Sequence, residues 1–175
     1  MDVKGKGLPE SVKELARSQS QEDEHLLTFL DGLCGGTFVE LGALDGVQHS
    51  NSYLFSKGLN YRGVLIEPDP SNYKNLQVNR AGEDMYHKAI CATNRQVHFV
   101  SNHERNDAVN GIWEFMSPSF RSTWHPHAKI DEMTVVDCVP LNSIITNSVL
   151  TGKHIDFLSL DVEGAEYEVI KTLDF

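Results

Sequence analysis

Basic residues are in short supply in this sequence: lysine and arginine number 15 against 25 aspartates and glutamates, for a formal net charge of -10. No stretch gathers the cations into a stripe. A surface of this sign repels polyphosphates, which excludes nucleic acid as a first choice of partner. Cysteine is scarce as well. Cys34, Cys91 and Cys138 are widely separated, odd in number and without a C-x-x-C pair. That spacing argues against a disulfide frame or a zinc knuckle, and it predicts reduced, packed thiols in a cytoplasmic protein. Long hydrophobic runs are missing. Nothing approaches the ~20 apolar residues that cross a bilayer, and the opening Met1-Asp2-Val3-Lys4-Gly5-Lys6 lacks the apolar core of a secretory leader. There is no internal repeat and no low-complexity tract. What remains, 40% hydrophobic and 23% charged over 175 residues, is the make-up of one globular domain with its own core.

Residues 1–19 are polar and contain Gly5, Gly7 and Pro9. They are expected to form a flexible N-terminal arm, with a short helix from Glu10 to Arg17, ahead of a domain over 20–175. Ser20-Gln21-Glu22-Asp23 resembles a capping box, Leu26, Leu27, Leu30 and Leu33 recur at helical spacing, and Gly35-Gly36 is placed to stop that helix. Strands and helices then alternate. Strands are expected at 37–41, 63–66, 85–90, 96–100, 134–138 and 155–160, with helices at 50–57, from Pro70 behind an Asp69 cap, at 140–147, and from Gly164 onward. Ile155 to Leu160 is nearly all apolar, as suits the middle of a parallel sheet. Residues 101–132 break the rhythm with Asn106, Asn110-Gly111, Pro118 and Pro126, and read as a long loop carrying Trp113, Phe115, Phe120 and Trp124. The alternation predicts an α/β, Rossmann-like fold, a mostly parallel central sheet with helices on both faces.

Between the first strand and its helix lies Glu40-Leu41-Gly42-Ala43-Leu44-Asp45-Gly46. Gly42 permits a sharp turn, and Gly46 lets backbone approach a ligand without a Cβ in the way. The spacing E-x-G-x-x-x-G is not the G-x-G-x-x-G of a dinucleotide site, whose pyrophosphate needs bare N–H groups at a helix start. S-adenosylmethionine has no phosphate but carries a sulfonium and an ammonium, which suits nearby carboxylates such as Glu40 and Asp45. Glu67, at the tip of the next strand, is placed to accept hydrogen bonds from two ribose hydroxyls. The plain alternative is turn glycines and a solvated strand end.

Four ordered segments carry a further resemblance. Phe38-Val-Glu-Leu-Gly-Ala-Leu-Asp-Gly46, Ser50-Asn51-Ser52, Leu65-Ile-Glu-Pro-Asp-Pro70 and Leu160-Asp-Val-Glu-Gly-Ala-Glu166, preceded by Gln19-Ser-Gln-Glu-Asp23, resemble the FkbM family of methyltransferases over roughly residues 18 to 173. The resemblance implies a class I methyltransferase fold, S-adenosylmethionine as methyl donor, and a small-molecule or glycan hydroxyl as acceptor. It implies that Glu40, Gly42, Asp45 and Gly46 line the methionine part of the donor. Glu67 would then hold the ribose, with Pro68 and Asp69 shaping its edge. Lys88-Ala89-Ile90 would lie by the adenine, and Asp161 would face the transferable methyl. The family continues beyond the last motif into further strands, so a sheet lacking its C-terminal strands is expected here. A second copy of the chain, forming a homodimer, is the expected cover for its open edge.

Methyl transfer asks the protein for alignment, exclusion of water and a base near the acceptor oxygen. Asp161 is the expected catalytic residue, and Glu163 is a weaker choice that can equally cap the following helix. His125-Pro126-His127 has no geometry that aims both rings at one ion, so no metal is expected. His49 is read as a surface histidine close to the substrate. The aromatics of 113–124 suit either a lid or packing of the insertion. A rival reading is a noncatalytic binding or trafficking module on the same core, or an inactive truncated methyltransferase. A nicotinamide-dependent dehydrogenase has the wrong glycine spacing.

Overall fold

A computed structural model of the chain describes residues 10–101 and 109–173. Its centre is a parallel four-stranded sheet. β1 (Thr37–Leu41) lies between β2 (Arg62–Ile66) and β8 (Phe157–Leu160), and β3 (Asp84–Tyr86) adds to β2, giving the order β3-β2-β1-β8. Alternation along the strands sends side chains to opposite faces. Phe38 and Leu65 pack under α2 (Glu22–Phe29), α3 (Tyr53–Leu59) and α4 (Pro70–Asn79), with Leu27, Phe55 and Leu76 buried there. Val39, Leu41, Val64 and Ile66 pack on the other face against α6 (Leu141–Ile145) and α7 (Glu166–Ile170). Helices thus cover both faces of a parallel sheet, the predicted α/β class.

Several local expectations hold to within a residue or two. Asp69 caps α4 by accepting from the Ser71 and Asn72 N–H groups, with Pro70 in the first turn. Other expectations need correction. A second sheet, in the order β4-β7-β5-β6, stands apart from the first. It contains β4 (Ala89–Ile90), β5 (Arg95–Val100), β6 (Gly111–Ile112) and β7 (Thr134–Val139). The anticipated strand 85–90 is therefore two strands in two sheets. The chain turns at His87 and Lys88, where the His87 ring stacks on Tyr73 and bonds the Pro68 carbonyl oxygen at 2.9 Å. β8, expected mid-sheet, pairs only with β1 among the described residues and forms an edge, leaving Leu158 exposed.

The 101–132 segment is not one loop: it holds β6, a 3₁₀ turn at Trp113–Phe115, α5 (Pro118–Trp124) and a second turn at Ile130–Glu132. Asn106 lies outside the described residues. The capping box is replaced by Gln21 in a left-handed conformation with no side-chain cap, while Asp23 turns back to accept from Arg17 N, Ser18 N and Ser18 Oγ. α2 ends at Phe29 rather than at Gly35-Gly36, through left-handed Asp31 and Gly32. Of the arm, residues 1–9 lie outside the described residues. α1 (Glu10–Lys13) and Leu15 pack on α3, with Val12 and Leu15 against the space that Gly58 leaves. The thiol expectation also fails. Cys91 and Cys138 form a disulfide with their Cα atoms 5.8 Å apart, and only Cys34 is free. Sequence spacing missed it because β4 and β7 become neighbours only in the folded sheet, and with it falls the cysteine argument for a reducing compartment. Among the described residues, no helix is long and apolar enough to cross a membrane.

Candidate active site

A cleft opens where β1, β2 and β8 end, at the carboxyl edge of the parallel sheet where ligands of open α/β sheets gather. Gly42, Leu44, Gln48 and His49 form one wall, and Glu67, Pro68 and Asn72 a second. Lys88, Ala89 and Ile90 continue from the second wall, while Phe99, Asn110, Gly111 and Ile112 of the second sheet close the far side. Asp161, Val162 and Glu163 come from the tip of β8, and Gln19 reaches in from ahead of α2.

Gly42 sits at the tightest crossing. Its φ is +77°, its N–H bonds the Ile66 carbonyl at 3.0 Å, and a Cβ on it would lie 1.9 Å from the Asp161 carbonyl oxygen. Only glycine fits. Glu67 is 2% exposed. Its two oxygens accept from Leu44 N and Asp69 N, both at 2.8 Å, so it ties the tip of β2 to the glycine loop. Burial pushes this carboxyl up to about 8, with the neighbouring Asp69 charge adding to the rise and the two N–H groups opposing it.

Asp161 and Glu163 enter the cleft differently. Neither carboxylate has a hydrogen-bond partner among the described residues. Burial raises Asp161, helped by Glu166 and Glu22 and opposed by His49. Burial also raises Glu163, to about 7, with Asp161 and Glu166 adding to it. Glu163 has a φ of 50° and faces Gly111, whose missing Cβ leaves room for it. The helix after it starts at Glu166, whose own carboxylate takes the Gly164 N–H, so Glu163 is not the cap.

Glu40, Asp45, Gly46 and Asp69 stand behind the cleft wall instead of on its surface. Glu40 is 2% exposed and accepts from Ser50 Oγ, Ser52 Oγ and Asn51 N. Asp45 Oδ1 accepts from Val47 N and Gln48 N, closing the turn. A Cβ on Gly46 would run into Arg80 and Leu76, so this glycine makes room for α4 rather than for a ligand. Sequence reading passed over Arg80 altogether, although a signal existed. It follows the buried Leu76 by four residues, which puts a charge on the apolar side of α4. The roles of Phe99 and Asn110 to Ile112 were also missed, because the second sheet alone brings them to the cleft. His125 is buried and bonds the Val109 carbonyl, His127 is exposed, and His49 sits on the rim. The 113–124 aromatics do not line the cleft; Arg121 stacks on Trp113, and Phe115 packs on the second sheet's core.

A glycine turn and three acids stand around one cleft at the strand tips of a parallel sheet, in a domain of the α/β class. The family follows from comparison. The model of the methyltransferase FkbM domain matches residues 40–175, and the chain belongs to this family of methyltransferases. No curated protein and no solved structure matches it.

Proposed function

We propose that the protein is an S-adenosylmethionine-dependent methyltransferase that methylates a hydroxyl of a small metabolite or sugar. The observation that carries this reading is the unpartnered pair Asp161 and Glu163 in a cleft whose only lysine or arginine among the described residues, Lys88, has its ammonium on Asp137 at 2.9 Å. A pyrophosphate finds no cluster of cations there, whereas a sulfonium and an ammonium find open carboxylates. Bound S-adenosylmethionine supplies a methyl group already activated by the sulfonium.

The chain's residues do the rest. Gly42 admits the donor close to the β1 backbone. Glu67, held by two amides, keeps lone pairs for ribose hydroxyls, beside Pro68. Ala89 borders the adenine, and Asp161 stands by the reacting end. Glu163 and Asp161 are the groups able to take the acceptor's proton. Glu40, Asp45, Gly46 and Asp69 serve the donor from behind by shaping the turns that touch it. Calorimetric titration with S-adenosylmethionine, S-adenosylhomocysteine and NAD tests the reading. Binding of the first two and not of NAD is expected; binding of NAD alone, or of none, refutes it.

A further inference from the structure

The largest fully buried side chain among the described residues is a charged one. Arg80, at the end of α4, has no exposed surface, and its guanidinium is used on every side. Nε and Nη2 fork onto the two oxygens of Glu83 at 2.8 and 2.7 Å. Nη1 donates to the Gly46 carbonyl at 2.9 Å and to Ser50 Oγ at 3.2 Å, and Nη2 also reaches Ser52 Oγ at 3.1 Å. The same two serine hydroxyls donate onward to Glu40. Each serine therefore accepts from the guanidinium and donates a hydrogen bond to Glu40, so the two buried side chains are joined through Ser50 and Ser52 without touching; burial pushes the Glu40 carboxyl up, opposed by Ser52 and by the Arg80 charge. Asn51, between them, gives its N–H to Glu40 and its side-chain amide to Ser159 on β8, which extends the network to the strand that carries Asp161.

The segment so gripped is the back of the cleft's first wall, whose front is Gly42, Leu44, Gln48 and His49. We infer that Glu40 and Arg80 are a coupled pair of positioning residues that hold the glycine loop in its binding shape through Ser50 and Ser52, and that Glu40 does not itself touch the ligand. Removing either end deprives the Ser50 and Ser52 hydroxyls of the acceptor or the donor that orients them, so both changes release the same loop. The inference rests on the proposal that this cleft holds S-adenosylmethionine.

The test is a double-mutant cycle on the full chain with E40Q, R80M and the pair, using S-adenosylmethionine as the calorimetric probe and amide hydrogen exchange as a ligand-free readout. Expected is a loss of affinity of roughly ten- to hundredfold in each single variant, as for a displaced site, with the double variant no weaker than the worse single. Exchange at the Leu44, Gln48 and His49 amides should accelerate while the β1 and β2 amides stay protected. S50A and S52A, smaller changes, should show the same local effect in weaker form and decide the matter if a charge variant does not fold. R80K, which keeps the charge without the fork, should restore stability more fully than affinity. Loss of affinity in E40Q but not in R80M, additive losses in the pair, or unchanged exchange at 44–49 in all variants would each overturn the inference. If the wild type binds no S-adenosylmethionine, the proposed function fails, while the exchange data still decide whether this pair holds the loop.

Discussion

Replacing Gly42 by alanine separates two costs that the structure keeps distinct. The first is conformational: a φ of +77° asks an L-residue to adopt the left-handed region, which costs about 1–2 kcal/mol. The second is contact. The new Cβ would stand 1.9 Å from the Asp161 carbonyl oxygen, so the tip of β8 must withdraw by roughly 1.5 Å to reach an ordinary separation. That withdrawal breaks the bond from Asp161 N to the Leu41 carbonyl, now 3.3 Å, worth about 0.5–1.5 kcal/mol. Together these give a destabilisation of about 1.5–3.5 kcal/mol and a cleft with its β8 carboxylates displaced. Gly82 is the internal control. It has a φ of +88°, and a Cβ on it would meet nothing within 4 Å among the described residues, so Gly82→Ala should show the conformational cost alone. Urea unfolding of both variants, with calorimetry against S-adenosylmethionine, measures the difference. If Gly42→Ala is no less stable than Gly82→Ala and binds the donor as the wild type does, the close crossing of β1 and β8 is wrong.

Glu67→Ala is expected to weaken donor binding at pH 7, where this carboxyl is protonated, by about 0.5–1.5 kcal/mol for each ribose hydrogen bond lost; equal affinity in calorimetry would remove that contact. The pH dependence has a definite sign. Glu67 has a folded-state value of about 8, above its ordinary 4.5, so the stability it contributes is complete below about 4.5 and is lost as pH rises through about 8. Glu67→Gln should therefore flatten the decline of unfolding free energy between those limits, and an unchanged slope would refute the assignment. Donor affinity should instead rise as Glu163 ionises through about 7, a rise absent from Glu163→Gln in titrations at pH 6 and pH 8. The Cys91–Cys138 bond spans 47 residues of sequence, so its reduction should cost about 4 kcal/mol in the loop-entropy picture. Thiol counting in denaturant without reductant should find one free cysteine, and three would show the bond absent. Among the described residues β8 is paired on one side only, and we propose that this edge supports a symmetric dimer; light scattering that gives a monomer at all concentrations would exclude it.

Much of this protein is written locally. β1, β2 and the Asp69-Pro70 helix start could be read because short apolar runs, a capping carboxylate and a proline at the first turn act within a few residues of themselves. The same holds for the placing of Gly42 and Glu67 at strand tips, where the fold puts both on the cleft wall, and for the family, whose motifs are contiguous. What depended on the tertiary structure is everything that joins distant segments. The division of 84–90 between two sheets follows from which strands pair with its halves, β2 on one side and β7 on the other. Gly46 looked like a ligand-facing glycine, but its missing Cβ accommodates Arg80, 34 residues away along the chain. Glu40 reads from sequence as a ligand contact, and the fold adds that its carboxyl accepts from Ser50, Asn51 and Ser52. A sequence shows that an acid or a glycine sits at a turn; which side of the turn it serves is decided by the helix packed behind it.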